Sequence, residues 1–141
     1  MNARPASRKR PSRPQGSQET ARLCAAAALN KKAEDLLLMD VAELTGYADY
    51  FLLASGRSPR QATAIAENVQ RVLKKAGMSP LGVDGLRQGR WACLDFGDVV
   101  VHVFHQPVRE IYELEALWGD APRIELDLKE LEALLPPEKE A

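Results

Sequence analysis

The stretch "WACLDFGDVVVHVF", residues 91–104, decides how the chain is read. At its centre lies Asp95-Phe96-Gly97, the triplet with which protein kinases hold magnesium, followed by Asp98 and then His102 and His105. Two readings compete, an active site and a strand pair, and the strand pair accounts for more residues. Gly97-Asp98 between two apolar runs is a two-residue hairpin signal. Pairing across it sets Phe96 opposite Val99, Leu94 opposite Val101 and Ala92 opposite Val103. Side chains alternate along a strand, so those six share one face. All are apolar, and that face is expected to pack on helices. The other face carries Trp91, Cys93 and Asp95 opposite Phe104, His102 and Val100. Either a partner binds this mixed surface, since aromatics dominate interface energetics, or the helix expected over 107–118 covers it.

Outward from the hairpin, the clearest element is "GRSPRQATAIAENVQRVLKKAG", residues 56–77. Ser58 suits an N-cap, Pro59 the first helical position and Gly77 the stop. Ala62, Ile65, Val69, Val72, Leu73 and Ala76 recur at helical spacing and form one apolar stripe. Upstream, an Ala-rich helix is expected from near Gln18 through "ETARLCAAAALNKKA". "EDLLLMDV" (34–41) and "DYFLLAS" (49–55) read as strands. A short strand is expected at Leu81–Val83. "PVREIYELEALW" (107–118) reads as one helix between Pro107 and Gly119. "IEL" (124–126) reads as a further strand, and "DLKELEALLPPEKEA" (127–141) as a short amphipathic helix. This order predicts an α/β (α+β) fold, a mixed sheet flanked by helices.

A chain of 141 residues and 15.6 kDa suits one domain. A kinase needs a larger frame, with a Gly-rich loop, a strand lysine and a catalytic loop, and none is present. The net charge of −1 conceals an asymmetry: residues 1–22 hold six Lys or Arg against Glu19 alone, so the remainder carries −6. Residues 1–17 hold too little apolar surface to offset ordering entropy and are expected to be a disordered basic tail. A basic tail on an acidic domain is a signature of attachment to an anionic surface. Cys24 and Cys93 fit no disulfide framework and are expected as reduced thiols. No apolar run reaches transmembrane length. The N-terminus lacks an apolar h-region, and Pro5, Pro11 and Pro14 oppose an amphipathic transit helix, so a cytoplasmic location is expected.

Three chemistries can be weighed. Phosphoryl or nucleotidyl transfer would use "SGRS" (55–58) at a helix start to hold phosphate. It also needs clustered carboxylates for metal ions. Asp95 lies on a strand face, Asp98 at a turn, and Asp84 stands alone. A zinc site from Cys93, His102 and His105 lacks an evident fourth ligand. A Cys93–His102 nucleophile lacks an orienting group and an oxyanion hole. No catalytic residue, metal or cofactor is therefore expected.

Taken together, "ADYFLLASGRSPRQATAIAENV" (48–69), "LGVDG" (81–85) and "WACLDFGDVVVHVFHQPVREIYELEALWGDA" (91–121) resemble the ribosomal silencing factor, or Iojap-related, family. Asp49-Tyr50-Phe51, Ser55-Gly56, Trp91, Asp95 to Asp98, His102-Val103-Phe104, Arg109, Tyr112, Leu114-Glu115 and Leu117-Trp118 carry the likeness, from about Leu29 to Ala121. The resemblance implies a nucleotidyltransferase-like fold without catalytic residues. It implies a translational repressor that binds the large ribosomal subunit via large-subunit ribosomal protein fourteen and blocks joining with the small subunit. A large-subunit assembly factor and a nucleotidyltransferase-like enzyme are the alternatives. It also implies a homodimer when free. Carried over by position, Trp91, Phe96 and Tyr112 would be aromatic contacts with that ribosomal protein. Asp95, Asp98 and Arg109 would be polar contacts or supports. Asp84-Gly85 stands where the family commonly has Glu-Gly. The chain thus divides into a tail (1–17) with possible contact to ribosomal RNA, a domain (18–121) and a C-terminal extension (122–141).

Overall fold

The computed structural model describes residues 16–135. In chain order the elements are α1 (Ser17–Asn30), β1 (Glu34–Asp40), β2 (Tyr50–Gly56), α2 (Pro59–Lys75), β3 (Gly82–Asp84), β4 (Trp91–Asp95), β5 (Val99–His105), α3 (Gln106–Tyr112), α4 (Leu114–Leu117), β6 (Arg123–Ile124) and α5 (Leu128–Leu134). The tail expectation falls outside these residues, except that Ser17 already begins α1.

The hairpin forms in the expected register. Trp91 lies opposite Phe104, Cys93 opposite His102 and Leu94 opposite Val101, and the Phe96 amide donates to the Val99 carbonyl at 2.9 Å. Gly97 sits at φ 92, a turn conformation that L side chains resist. The Asp95 carboxylate accepts the Gly97 N–H at 2.8 Å, closing an Asx turn. Part of the kinase-like triplet is thereby explained: Asp95 and Gly97 are turn chemistry.

The sheet order is β3-β4-β5-β2-β1-β6. β2 and β5 run parallel at the centre, because α2 and two further strands separate them in sequence. Both are almost wholly buried, as strands covered on two faces must be. On one face Ala92, Leu94, Phe96, Val99, Val101 and Val103 join α1, α2 and Leu131 of α5 in a single apolar core. Alanine matters here: Ala21, Ala25 and Ala28 of α1 and Ala62 and Ala66 of α2 are fully buried, so the two helices approach closely. Ser58 caps α2 by accepting the Gln61 N–H at 3.0 Å. Cys24 and Cys93 are free thiols, and burial pushes both above the ordinary thiol range.

One expectation needs correction. The 107–118 segment is not one helix. Glu113 adopts a left-handed conformation at φ 48 and ψ 47, which divides it into α3 and α4. The break turns Leu114 and Trp118 down onto the second face of the sheet, a reorientation that a straight helix could not supply. The short helix expected after Ala121 forms as α5, and its segment packs on the domain. β6 pairs with β1, Asp127 caps α5 by accepting the Lys129 N–H at 3.0 Å, and Leu131 is 2% exposed within the first core. The exposed Arg22–Glu130 pair at 3.1 Å adds little.

The second core lies under α3 and α4. It gathers Met39, Phe51, Leu53, Val100, Phe104 and Val108, with Trp91, Leu114 and Trp118 packed against it. His102 sits in it at 8% exposure, edge-on to Phe51 with ring centroids 5.3 Å apart. Its Nδ1 accepts the Trp91 indole N–H at 3.1 Å, which fixes the neutral ring with its proton on Nε2. That Nε2 is buried without a hydrogen-bond partner.

Two outcomes follow from this packing. Leu131→Ala should destabilise the fold by about 2–4 kcal/mol, the usual cost of truncating a core leucine. Denaturant titration checks it, and a loss near zero would return residues 122–135 to the status of an extension. Burial also lowers the His102 pKa from 6.5 to about 4. The unfolded chain then binds a proton that the native chain refuses, so stability is full above pH 6.5 and falls as pH drops toward 4. The loss from this group is at most roughly 3 kcal/mol. Comparing melts of the native chain with those of His102→Gln should show a shallower fall for the variant across that window; equal slopes would contradict the assignment.

Candidate functional site

The residues singled out in sequence converge unevenly. Trp91 and Tyr112 do meet: their rings are 4.8 Å apart, where the last turn of α3 reaches the start of β4. Trp91 also stacks on Phe104 at 5.1 Å and 28°. The indole is half-buried, held from three sides by Phe104, Tyr112 and the bond to His102. Tyr112 is 57% exposed. Beside it, Ile111 and Leu117 are 72% and 73% exposed, which extends the apolar surface along α3 and α4. Of the two possibilities for this sheet face, the structure shows the covering helix in part. α3 and α4 cover its centre, and the β4 margin with Trp91, Cys93 and Asp95 stays partly open.

Phe96 lies on the apolar face expected for it from strand alternation. It is 7% exposed and lies in the first core, on the face opposite Trp91, because strand alternation turns it inward. Its side chain has little surface to offer a partner. Asp98 is exposed at the hairpin tip, and its carbonyl accepts the N–H groups of Asp49 (2.8 Å) and Tyr50 (3.1 Å). The turn is thus tied to the start of β2. Asp95 is half-buried and engaged in the Asx turn. Asp95 is thus tied into the turn, and Asp98 is open to solvent. Among the described residues, no group of three or more His, Cys, Asp or Glu is arranged to hold a metal ion.

Arg109 is 8% exposed and acts as a support. One guanidinium nitrogen donates to the Ser55 hydroxyl and to the Asp35 carbonyl, both at 2.8 Å. The other two nitrogens meet the Glu115 carboxylate at 3.3 Å. A single side chain thereby joins α3 to β2, to the irregular start of β1 and to α4. Asp35 stands at φ 52 where the β1–β2 register shifts, and that irregularity presents its carbonyl. Sequence reasoning placed Ser55 in a phosphate-binding candidate; its hydroxyl is in fact committed to Arg109. Fifty-four positions separate the two, so no local pattern announces the pair.

An open groove of about 610 Å³ runs beside Arg109. Asp35, Glu110, Glu113 and Glu115 line it, with Arg123 at one side. The site as a whole is an exposed aromatic and aliphatic ridge bordering an acidic groove. That combination suits a basic protein surface, with the ridge as anchor and the carboxylates for register.

Comparison with known proteins agrees with this architecture. The family model described as ribosomal silencing factor during starvation matches residues 14–141. It extends beyond the 29–121 resemblance in both directions and takes in α5. The ribosomal silencing factor RsfS of Bacillus subtilis (strain 168) is 43% identical over 106 residues, which are 75% of this chain and 90% of that protein. A crystal structure of a Chromobacterium violaceum protein superposes with a TM-score of 0.73 at 40% identity, covering 74% of this chain and 88% of that one. A mouse protein named mitochondrial assembly of ribosomal large subunit protein 1 is 34% identical across 62% of this chain and 40% of its own length. The sheet, the helices on its two faces and the 14–141 match have one consequence: the chain belongs to the ribosomal silencing factor family.

Proposed function

We propose that this protein binds the large ribosomal subunit through large-subunit ribosomal protein fourteen and thereby blocks joining with the small subunit. The observation that carries the reading is the family match over residues 14–141. The site geometry supports it: an aromatic ridge beside an acidic groove fits a basic ribosomal protein. Obstruction needs only a bound domain of sufficient size, so no catalytic group enters the mechanism. Trp91 and Tyr112 form the anchor. Arg109 holds α3 and α4 in place beneath it, and Asp98 offers a charge at the hairpin tip. The free protein is a homodimer in this reading and acts in the cytoplasm.

A second reading is favoured by the mouse relative, whose name refers to assembly of the large subunit. The same contact would then act earlier, on an immature particle. Both readings need the same surface and differ in what the bound protein prevents or promotes.

The test is a subunit-joining assay on light scattering, with purified subunits and added protein. Joined particles should fall in proportion to occupancy of the large subunit. Joining that proceeds unchanged at full occupancy would remove the silencing reading and favour assembly. In parallel, Tyr112→Ala should weaken binding to large subunits by about 2 kcal/mol, the scale of an interface anchor, and leave the melting temperature nearly unchanged because this ring is exposed. Trp91→Ala should lose binding and stability together, since Phe104 and His102 lose a packed partner. Normal binding by Tyr112→Ala would place the contact elsewhere.

A further inference from the structure

Six cations gather around the first turns of α2: Lys31, Lys32, Arg57, Arg60, Arg87 and Arg90. They come from three segments distant in sequence, and specific ties bring the segments together. The Gln61 side-chain amide donates to the carbonyls of Lys31 and Lys32 at 3.4 and 3.3 Å, and its oxygen accepts the Arg57 N–H at 2.7 Å. The 85–90 loop is laid against the same turns. Thr63 Oγ1 donates to the Leu86 carbonyl at 2.8 Å. Gly89, at φ 67, approaches so closely that a Cβ there would stand 2.1 Å from the Pro59 carbonyl oxygen.

All six side chains belong to exposed residues. Arg57 pairs with Glu34 at 2.6 Å; the other five have no ion-pair partner among the described residues, and the first turn of α2 carries no acid. Residues 16–135 contain 13 Lys and Arg against 18 Asp and Glu. Nearly half of the cations of an acidic domain are thus concentrated here, and the Gln61 and Thr63 ties hold their segments together, with a carboxylate partner for Arg57 alone among the described residues. Like charges held close together are unfavourable unless an anion joins them.

The chemistry of the patch selects the anion. Four of the six are arginines, whose planar fork matches phosphate oxygens. None of the exposed large hydrophobic side chains lies in these segments, so nothing is available to insert into a lipid surface. No aromatic side chain is available in them for stacking on a base, and the cations are spread over three segments as a phosphodiester chain spreads its charges. Arg90 directly precedes Trp91, so the patch borders the aromatic ridge. We infer that this face grips the phosphodiester backbone of ribosomal RNA, without regard to base sequence, while the ridge engages protein. The inference rests on the ribosomal reading for the source of the RNA, but the phosphate surface stands on its own geometry.

The test uses the full chain and the triple variant Lys31→Glu/Arg60→Glu/Arg87→Glu. Fluorescence anisotropy against a transcribed hairpin of large-subunit RNA, over a salt series, measures the surface directly. The triple variant should bind at least tenfold more weakly at low salt, and its log affinity against log salt should flatten by about one unit per cation lost. Its melting temperature should be unchanged. Tyr112→Ala should bind the hairpin as the native chain does. Equal affinity and equal salt slope in the triple variant would overturn the inference, as would tighter binding to phosphatidylglycerol vesicles than to RNA. Sedimentation with large subunits separates the two claims. RNA binding without any subunit binding overturns the ribosomal source and leaves the phosphate surface, whereas subunit binding with no RNA binding overturns the surface alone.

Discussion

The arrangement of the second layer depends on the Arg109 guanidinium. A buried cation is costly unless its donors are all met, and removal of its partners would leave a charge stranded in the core. Here the Ser55 hydroxyl, the Asp35 carbonyl and the Glu115 carboxylate meet it from three elements. α3 and α4 are short, seven and four residues. Helices of that length hold little structure alone. They keep their place because Arg109 ties them to β1 and β2, and because Val108, Leu114 and Trp118 bury apolar surface against Phe51 and its neighbours. The position of Tyr112 against Trp91 is a consequence of that attachment.

The hairpin was legible because its determinants are local. Strand alternation, the Gly97-Asp98 turn and the apolar runs all lie within 91–104, and the α2 cap at Ser58 lies one residue from its helix. The division of 107–118 was not legible. Glu113 is an ordinary helix former, and its left-handed backbone is imposed by packing of Leu114 and Trp118 onto a sheet that the segment alone does not describe. The Arg109–Ser55 bond was hidden for the same reason, since it joins residues that only the fold makes neighbours. The C-terminal strand and amphipathic helix are legible as elements, but not what they pack on. Leu131 is buried in the first core and Ile124, Leu126 and Leu135 pack against it, but their spacing alone does not name the surface they meet.

The domain carries two surfaces of opposite character. Beside α3 and α4 lies an acidic groove next to an aromatic ridge; around the start of α2 lie exposed cations. A domain with a net negative charge would be repelled by RNA as a whole, so a local basic face is the means by which it can lie against an RNA-rich particle while its acidic side addresses a basic protein. Two contacts of different chemistry would also fix orientation, which an obstructing protein needs more than a catalyst does.

The central claim is that the ridge at Tyr112 faces ribosomal protein. The direct measurement is photocrosslinking on large subunits, with a photoreactive phenylalanine analogue in place of Tyr112 and, separately, in place of Leu134 on α5 across the sheet. The account predicts a crosslink from position 112 to ribosomal protein fourteen and none to that protein from position 134. A crosslink to it from position 134 alone would contradict the account.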